Sequence, residues 1–287
     1  MKSLTSDARH RFFFALCYNS IMNFLHYFQP EPVLLSLGPI TIRWYGLLIA
    51  IALAVSLAIA LKLAEKRRLK IDDLLDLALW LVIGGIIGAR LYDVLIVDWP
   101  YFSSHLIEVL SIWQGGLAIH GALIGGLAAL IIWCRRRRQN FWLWLDVIAV
   151  VLPLAQAIGR WGNYFNSELF GGPTDLPWGI LISEKLRPLV YQSSQYFHPV
   201  FLYESILDSL LFAILFVLFK RNNLKIGQLA GWYFVGYGLI RFLTEFIRID
   251  PTGMVAGVRA PQLASVFLVI IGLTIVRLKS KQTHQMF

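Results

Sequence analysis

The chain has 287 residues, of which 57% are hydrophobic and only 15% charged, against about 25% charged in an ordinary soluble domain. With a mean hydropathy of +0.64 spread along most of its length, it reads as one apolar unit and not as a pair of soluble domains: an all-α polytopic membrane protein. The net charge of +9 does not point to nucleic acid, because the basic residues fall in short clusters between apolar runs instead of on one soluble face. Two cysteines, Cys17 and Cys134, are too few for a disulfide framework.

The first elements in chain order are a basic start and a short apolar stretch. Phe12 to Phe28 is apolar but interrupted by Tyr18, Asn19, Asn23 and His26, and Pro30 and Pro32 stop any helix. Residues 1–42 therefore read as an outward, interfacial segment. Lys2, Arg9 and Arg11 precede the apolar part, yet no small-x-small cleavage site follows, so it does not read as a cleaved signal peptide. Met22 is an alternative start.

A helix crossing about 30 Å of hydrocarbon needs about 20 apolar residues, since its backbone must satisfy itself. Seven stretches qualify, approximately Trp44 to Leu61, Leu74 to Val97, Gly115 to Cys134, Phe141 to Gly159, Phe201 to Phe219, Gly227 to Ile247 and Ala260 to Val276. Together they define a seven-span unit over residues 43–278, with a short tail at 279–287. Lysines and arginines follow the first, third, fifth and seventh spans, including Arg135 to Arg138, whereas residues 98–112 hold none. By the positive-inside rule the N-terminus faces outward and the C-terminus the cytoplasm. The four arginines read as orientation and anionic-lipid anchors. Residues 159–199 between spans four and five form an outward head segment, long for a simple connection.

Charged residues at membrane depth cost at least a few kcal/mol each, so they face the bundle interior and either pair or serve a function. On the sixth span Tyr237, Arg241, Glu245 and Arg248 fall at helical spacing on one stripe. That stripe fits both a neutralising ion ladder and an anion site in which Glu245 holds arginine forks suited to a phosphate ester. Arg90 and Asp93 form another close pair on the second span. His120, near the start of the third span, fits a hydrogen-bonded structural role and also proton transfer. Gly84-x-x-x-Gly88 and Gly121-x-x-x-Gly125 are helix-packing patterns. The densest polar cluster runs from Gly159 to Gly171, where Arg160 offers a phosphate fork, Asn163 and Asn166 offer hydrogen bonds to hydroxyls or ester carbonyls, and Glu168 can orient either set. His198-Pro199, Tyr203, Glu204 and Asp208 then enter the fifth span. No zinc-like spacing and no Walker, GxSxG or dinucleotide pattern appears.

The fourth-span cluster, Gly159-Arg160-Trp161-Gly162-Asn163-Tyr164-Phe165-Asn166-Ser167-Glu168-Leu169-Phe170-Gly171, resembles the G-R-x-G-N-F-x-N-x-E-x-x-G signature of the prolipoprotein diacylglyceryl transferases, with Tyr164 where phenylalanine is usual. Similar order and spacing extend from about Met22 onward: Arg43-Trp44-Tyr45-Gly46, Gly115-Gly116, His120-Gly121, His198-Pro199 with Tyr203-Glu204, and Gly236-Tyr237-Gly238 with Arg241, Glu245 and Arg248. Two departures stand out. The usual His-Gly-Gly is His120-Gly121-Ala122, and Val200 and Phe201 replace a threonine or serine and a glutamine, removing two polar groups.

The resemblance implies a seven-span bacterial inner-membrane enzyme that moves the diacylglyceryl group of phosphatidylglycerol to the lipobox cysteine thiol of a preprolipoprotein, forming a thioether and releasing glycerol phosphate. Arg160 and Arg241 would hold the phosphate and stabilise the leaving group, and His120 is the first candidate base for the thiol. Tyr45, Asn163, Glu168, Gly171 and Glu245 would orient the headgroup or the arginines, with Asn166, His198, Glu204, Tyr237 and Arg248 beside them. The reaction requires no cofactor and no metal, and involves no nucleic acid. A transporter for an anionic or lipid-like substrate is the alternative from another class, although no repeat supplies a counterpart to the Gly159–Gly171 cluster.

Overall fold

A computed structural model describes residues 26–38 and 40–281. Most of the expected interfacial segment, Cys17 and the alternative start at Met22 lie outside the described residues. Within them the chain is mostly helical and carries six helices long and apolar enough to cross a membrane, as a polytopic membrane protein requires. These are α1 (Trp44–Lys66), α2 (Ile71–Tyr92, continued by a π-helical turn Asp93–Val97), α3 (Ile119–Arg137), α4 (Phe141–Phe165), α5 (Val200–Arg221) and α7 (Ala260–Lys281). The sixth expected span is helical over Gln228–Thr244 (α6), 17 residues, or about 25 Å at 1.5 Å per residue. Its apolar run is interrupted where Arg241, Glu245 and Arg248 begin to pair. The basic clusters sit where α1, α3 and α5 stop, and left-handed residues end these helices at Arg68, Arg138 and Asn222. Asn140 caps the start of α4, its side chain accepting from the Trp142 and Leu143 amides.

The chain divides into two compact units, one of residues 57–149 and one of residues 1–56 with 150–287. In the smaller unit α2 and α3 cross with their backbones in contact. A Cβ on Gly84 would stand 2.9 Å from the Gly125 carbonyl oxygen, and one on Gly88 would collide with Gly121. The two GxxxG patterns therefore do what small residues do in lipid, which is to let helices approach closely. Arg90 closes this unit: its guanidinium donates to the carbonyls of Glu108, Val109, Gly115 and Gly116 at 2.6–3.0 Å, and Asp93 lies 3.6 Å away. The Arg90–Asp93 pair is thus a staple for the segment between α2 and α3. Of the four arginines at the end of α3, Arg137 is drawn back onto Asp76 at 2.7 Å, and Arg136 lies over the Trp80 ring.

In the larger unit α6 and α7 make an equally close crossing through Gly231 and Gly272, where a Cβ on Gly272 would stand 2.6 Å from the Gly231 carbonyl oxygen. A small-residue seam here was not among the sequence patterns. The unit also holds three two-stranded antiparallel pairs: β1 (Val33–Leu37) with β2 (Ile40–Arg43), β3 (Ile180–Leu181) with β4 (Tyr196–Phe197), and β5 (Met254–Val255) with β6 (Val258–Arg259). The β3–β4 pair is part of the segment between α4 and α5, which has its own apolar core of Tyr164, Ile180, Ile182, Phe197 and Phe201. Phe201 is 2% exposed and stacks on Tyr164 with ring centroids 4.6 Å apart. The positions that lost polar side chains, Val200 and Phe201, are therefore filled by packing.

Candidate active site

The signature cluster occupies the last turns of α4 and the tight turn after it. Helical spacing sets Arg160 and Asn163 on neighbouring turns, and the Glu168 amide folds back onto the Asn163 carbonyl at 3.0 Å. Ser167 and Leu169 take positive φ of 51° and 57° in making this reversal, a conformation that non-glycine residues adopt only under constraint. The turn aims Glu168 back along the helix, where its carboxylate accepts from the Asn163 amide at 2.8 Å and the Asn166 amide at 3.4 Å. Both asparagines are thereby held by Glu168.

Gly171 joins three segments. Its amide donates to the His198 carbonyl at 2.9 Å, the Gly172 amide donates to the Ile247 carbonyl at 3.0 Å, and Gly171 bridges Arg248. A Cβ at Gly171 would stand 2.8 Å from both the His198 and the Ile247 side chains, so this position needs glycine for close approach and not for its dihedral angles. Tyr45 lies against Gly162 on α4, beside the charges of Glu168 and Arg160. His198 Nδ1 is 3.2 Å from the Tyr203 hydroxyl, which in turn accepts from Trp178 Nε1 at 2.8 Å. Burial pushes the His198 imidazole below its ordinary value, which fits a neutral ring accepting from Tyr203.

The centre of the site is an arginine–carboxylate network. Glu204, on the second turn of α5, receives Arg160 Nε on Oε2 at 2.7 Å, while Arg241 Nη1 and Arg248 Nη1 each reach Oε1 at 3.4 Å. The Thr244 hydroxyl donates to the same oxygen at 3.0 Å. Glu245 receives Arg241 Nη2 at 2.8 Å and Arg259 Nε at 2.7 Å, with Arg248 Nε at 3.8 Å. Arg248 Nε also meets Asp250 at 2.8 Å, and Tyr237 lies within electrostatic reach of Arg160. Four arginines thus face three carboxylates in direct contact, with the Asp208 carboxyl also within electrostatic reach of Arg160, and arginine forks suit an anion. Exposure decides which forks can meet one: the Arg160 and Arg241 side chains keep 18% of their surface, against 4% for Arg248 and 2% and 0% for Glu204 and Glu245. Among the arginines that meet Glu204, Arg160 and Arg241 are the open faces and the two glutamates are supports; Arg259 keeps 24% of its surface, but its Nε and Nη2 are committed to Glu245 and the Asp250 carbonyl.

All the site residues expected from the sequence except one fall in this larger unit. His120 belongs to the smaller unit, where it is the second residue of α3 and exposed, with its ring 5.8 Å from that of Tyr92. The expected third span starts four residues earlier than α3, because Gly115 and Gly116 take φ of 101° and 69° and keep that stretch out of the helix. The expected stripe on the sixth span also changes form: Glu245 and Arg248 lie past the last helical residue, although the i,i+4 and i,i+3 pairings survive. Thr244, Asp250 and Arg259 were missed. Arg259 comes from the β5–β6 hairpin, 14 positions from Glu245, where no helical period could flag it. Asp208, one turn along α5 from Glu204, is fully buried, and neither carboxylate oxygen has a hydrogen-bond partner among the described residues. Among the described residues no group of three His, Cys, Asp or Glu side chains could hold a metal ion.

The sequence model of the family described as prolipoprotein diacylglyceryl transferase matches residues 32–278. The chain belongs to that family. Proteins named phosphatidylglycerol–prolipoprotein diacylglyceryl transferase are similar along most of its length. That of Synechococcus elongatus is 46% identical over 253 residues, 86% of this chain and 87% of the relative. That of Acaryochloris marina is 47% identical over 246 residues, 85% and 89% of the two chains, and that of Symbiobacterium thermophilum is 44% identical over 246 residues, 85% and 91%. The family match takes in α1 to α6, α7 as far as Leu278, and every site residue named above. The resemblance carried by the Gly159–Gly171 signature is therefore borne out over most of the chain.

Proposed function

We propose that this chain transfers the diacylglyceryl group of phosphatidylglycerol to the lipobox cysteine thiol of a preprolipoprotein in a bacterial membrane. The observation that carries the reading is the convergence of three arginines on buried Glu204, with only Arg160 and Arg241 open to a ligand, in a chain whose relatives are named for this reaction. The reaction is an alkyl transfer. The cysteine sulfur attacks the glyceryl methylene carbon, a C–S bond forms as the C–O bond to phosphorus breaks, and the electron pair leaves on the phosphate oxygen of glycerol phosphate. Charge develops on that phosphate, so forks already aimed and held by Glu204 and Glu245 stabilise the transition state more than the ground state. Arginine fits because its planar fork meets two phosphate oxygens at once.

The thiol must lose its proton to become the nucleophile. His120 is assigned that proton on chemical grounds, as an exposed imidazole, the side-chain type most often used as a general base. Asn163, Asn166 and Glu168 form a unit that orients the headgroup, while Tyr45, Gly171, His198 and Tyr237 shape its surroundings. In the membrane the chain makes seven spans, α6 being completed by the turn to Ile247. Residues 159–199 form an outward head, and the N-terminus lies outside and the C-terminus in the cytoplasm, as the basic clusters after α1, α3, α5 and α7 direct.

Purified full-length protein, phosphatidylglycerol vesicles and a lipobox peptide test the reading by mass spectrometry. The peptide should gain one diacylglyceryl group when it carries cysteine and none when serine replaces it. Phosphatidylglycerol left unconsumed in the presence of the cysteine peptide would overturn the assignment.

A further inference from the structure

Glu245 is fully buried, and its two oxygens serve different partners. Oε2 takes Arg241 Nη2 at 2.8 Å, with Arg248 Nε at 3.8 Å, whereas Oε1 is occupied by Arg259 Nε at 2.7 Å. Arg259 is itself fixed from a second side, since its Nη2 donates to the Asp250 carbonyl at 2.9 Å. Its backbone is paired with Met254 across the hairpin, and the next amide, Ala260, donates to Gly253 at 2.8 Å. A carboxylate with both oxygens available grips a guanidinium as a bidentate pair. With Oε1 taken, Glu245 can offer Arg241 only one oxygen, and the rest of the Arg241 fork reaches Glu204 at no better than 3.4 Å. That loose second contact leaves the fork free for a phosphate.

We propose that Arg259 is a positioning residue for the transfer reaction: by occupying Glu245 Oε1 it keeps Arg241 from closing into a bidentate pair, and so holds the fork open to the lipid phosphate. Only arginine does this here, because the task needs two donors pointing apart, one to Oε1 and one to the Asp250 carbonyl. The inference rests on the reading of Arg241 as a phosphate-binding group.

The test uses full-length purified enzyme, with KM for phosphatidylglycerol and kcat measured separately at saturating lipobox peptide. Arg259→Gln should raise KM for the lipid about tenfold or more, the scale expected when a binding group is displaced without being removed. Adding Arg259→Gln to Glu245→Gln should cost nothing beyond Glu245→Gln alone, since Arg259 acts through that carboxylate. A merely structural role predicts instead losses that multiply, and this outcome, like a lipid KM for Arg259→Gln within about twofold of wild type, overturns the proposal. If the glutamine variant does not fold, Arg259→Lys carries the test: it keeps the charge but gathers its donors on one nitrogen, which cannot span Glu245 Oε1 and the Asp250 carbonyl as the fork does, so it should raise KM for the lipid several-fold, and an unchanged KM overturns the proposal. Arg241→Lys separates the two readings. If it retains wild-type transfer, the phosphate site itself is wrong; if it is impaired while the Arg259 variants are not, only the positioning role fails.

Discussion

Arg160 Nε rests 2.7 Å from Glu204 Oε2, a contact that ties the end of α4 to the start of α5. A guanidinium so held is preorganised for an anion and needs no reorientation when charge develops. Arg160→Lys and Arg241→Lys should each lose roughly a hundredfold in kcat/KM, the scale of removing one preorganised donor from a developing oxyanion. A point ammonium keeps the charge but cannot reproduce the fork. Transfer rates of both variants on folded protein decide the matter, and wild-type rates would remove phosphate clamping from the mechanism.

Glu204 is the support on which three arginines depend, and its side chain is 2% exposed. Removing one partner of a buried charge network leaves the others uncompensated, at about 3–5 kcal/mol. Glu204→Gln should therefore lower the thermal unfolding midpoint as well as the rate, whereas Arg160→Lys should leave the midpoint nearly unchanged. Equal midpoints for Glu204→Gln and wild type would show that the arginines do not rely on it.

The signature cluster was legible because its chemistry is local: Arg160, Asn163 and Glu168 lie within one turn-and-reversal of chain, and apolar run length located the long helices. Arg259 was not legible, because it reaches Glu245 from a hairpin 14 positions away in sequence, outside any helical period. The shortness of α6 had a similar cause. The Glu245 amide still reaches the Arg241 carbonyl at 3.2 Å, but the Phe246 and Ile247 amides tighten to carbonyls three residues back, where Arg241, Glu245 and Arg248 pair. Arg90 looked like one half of an ion pair because sequence shows only its neighbour Asp93. Four carbonyls from the segment after α2 are its stronger partners.

Orientation rests on the basic clusters, and single cysteines test it. On a background with Cys17 and Cys134 replaced, Ser104→Cys should react with an impermeant thiol reagent in intact cells and Arg136→Cys should not. The reverse labelling would place the signature cluster on the cytoplasmic side.

Tyr164 stands where the signature usually has phenylalanine, and it is 3% exposed with a hydroxyl that has no hydrogen-bond partner among the described residues. A buried hydroxyl without a partner costs about 1–3 kcal/mol of desolvation, while the ring keeps its stacking on Phe201 whichever residue is present. Tyr164→Phe should thus raise the unfolding midpoint by about 2–4 °C and leave kcat unchanged. A lowered midpoint would mean that the hydroxyl is satisfied in the membrane.

His120 is the one expected site residue outside the unit that holds Arg160 and Arg241, so its role needs a test that does not depend on proximity. If it takes the thiol proton, His120→Gln should lose roughly a hundredfold in rate, the usual scale for a general base. The loss should shrink as pH rises, because a peptide thiol with an ordinary pKa of about 8.5 supplies more thiolate unaided at higher pH. The ratio of variant to wild-type rate should therefore climb from about pH 7 to pH 9. A histidine that only shapes the start of α3 predicts a flat ratio, since a packing defect does not titrate with the substrate. Measured on protein shown to be folded, a flat ratio would move the proton to another group. Glu168 and Glu204 come next, and of these Glu168 is the more accessible, since Glu204 is already committed to three arginines.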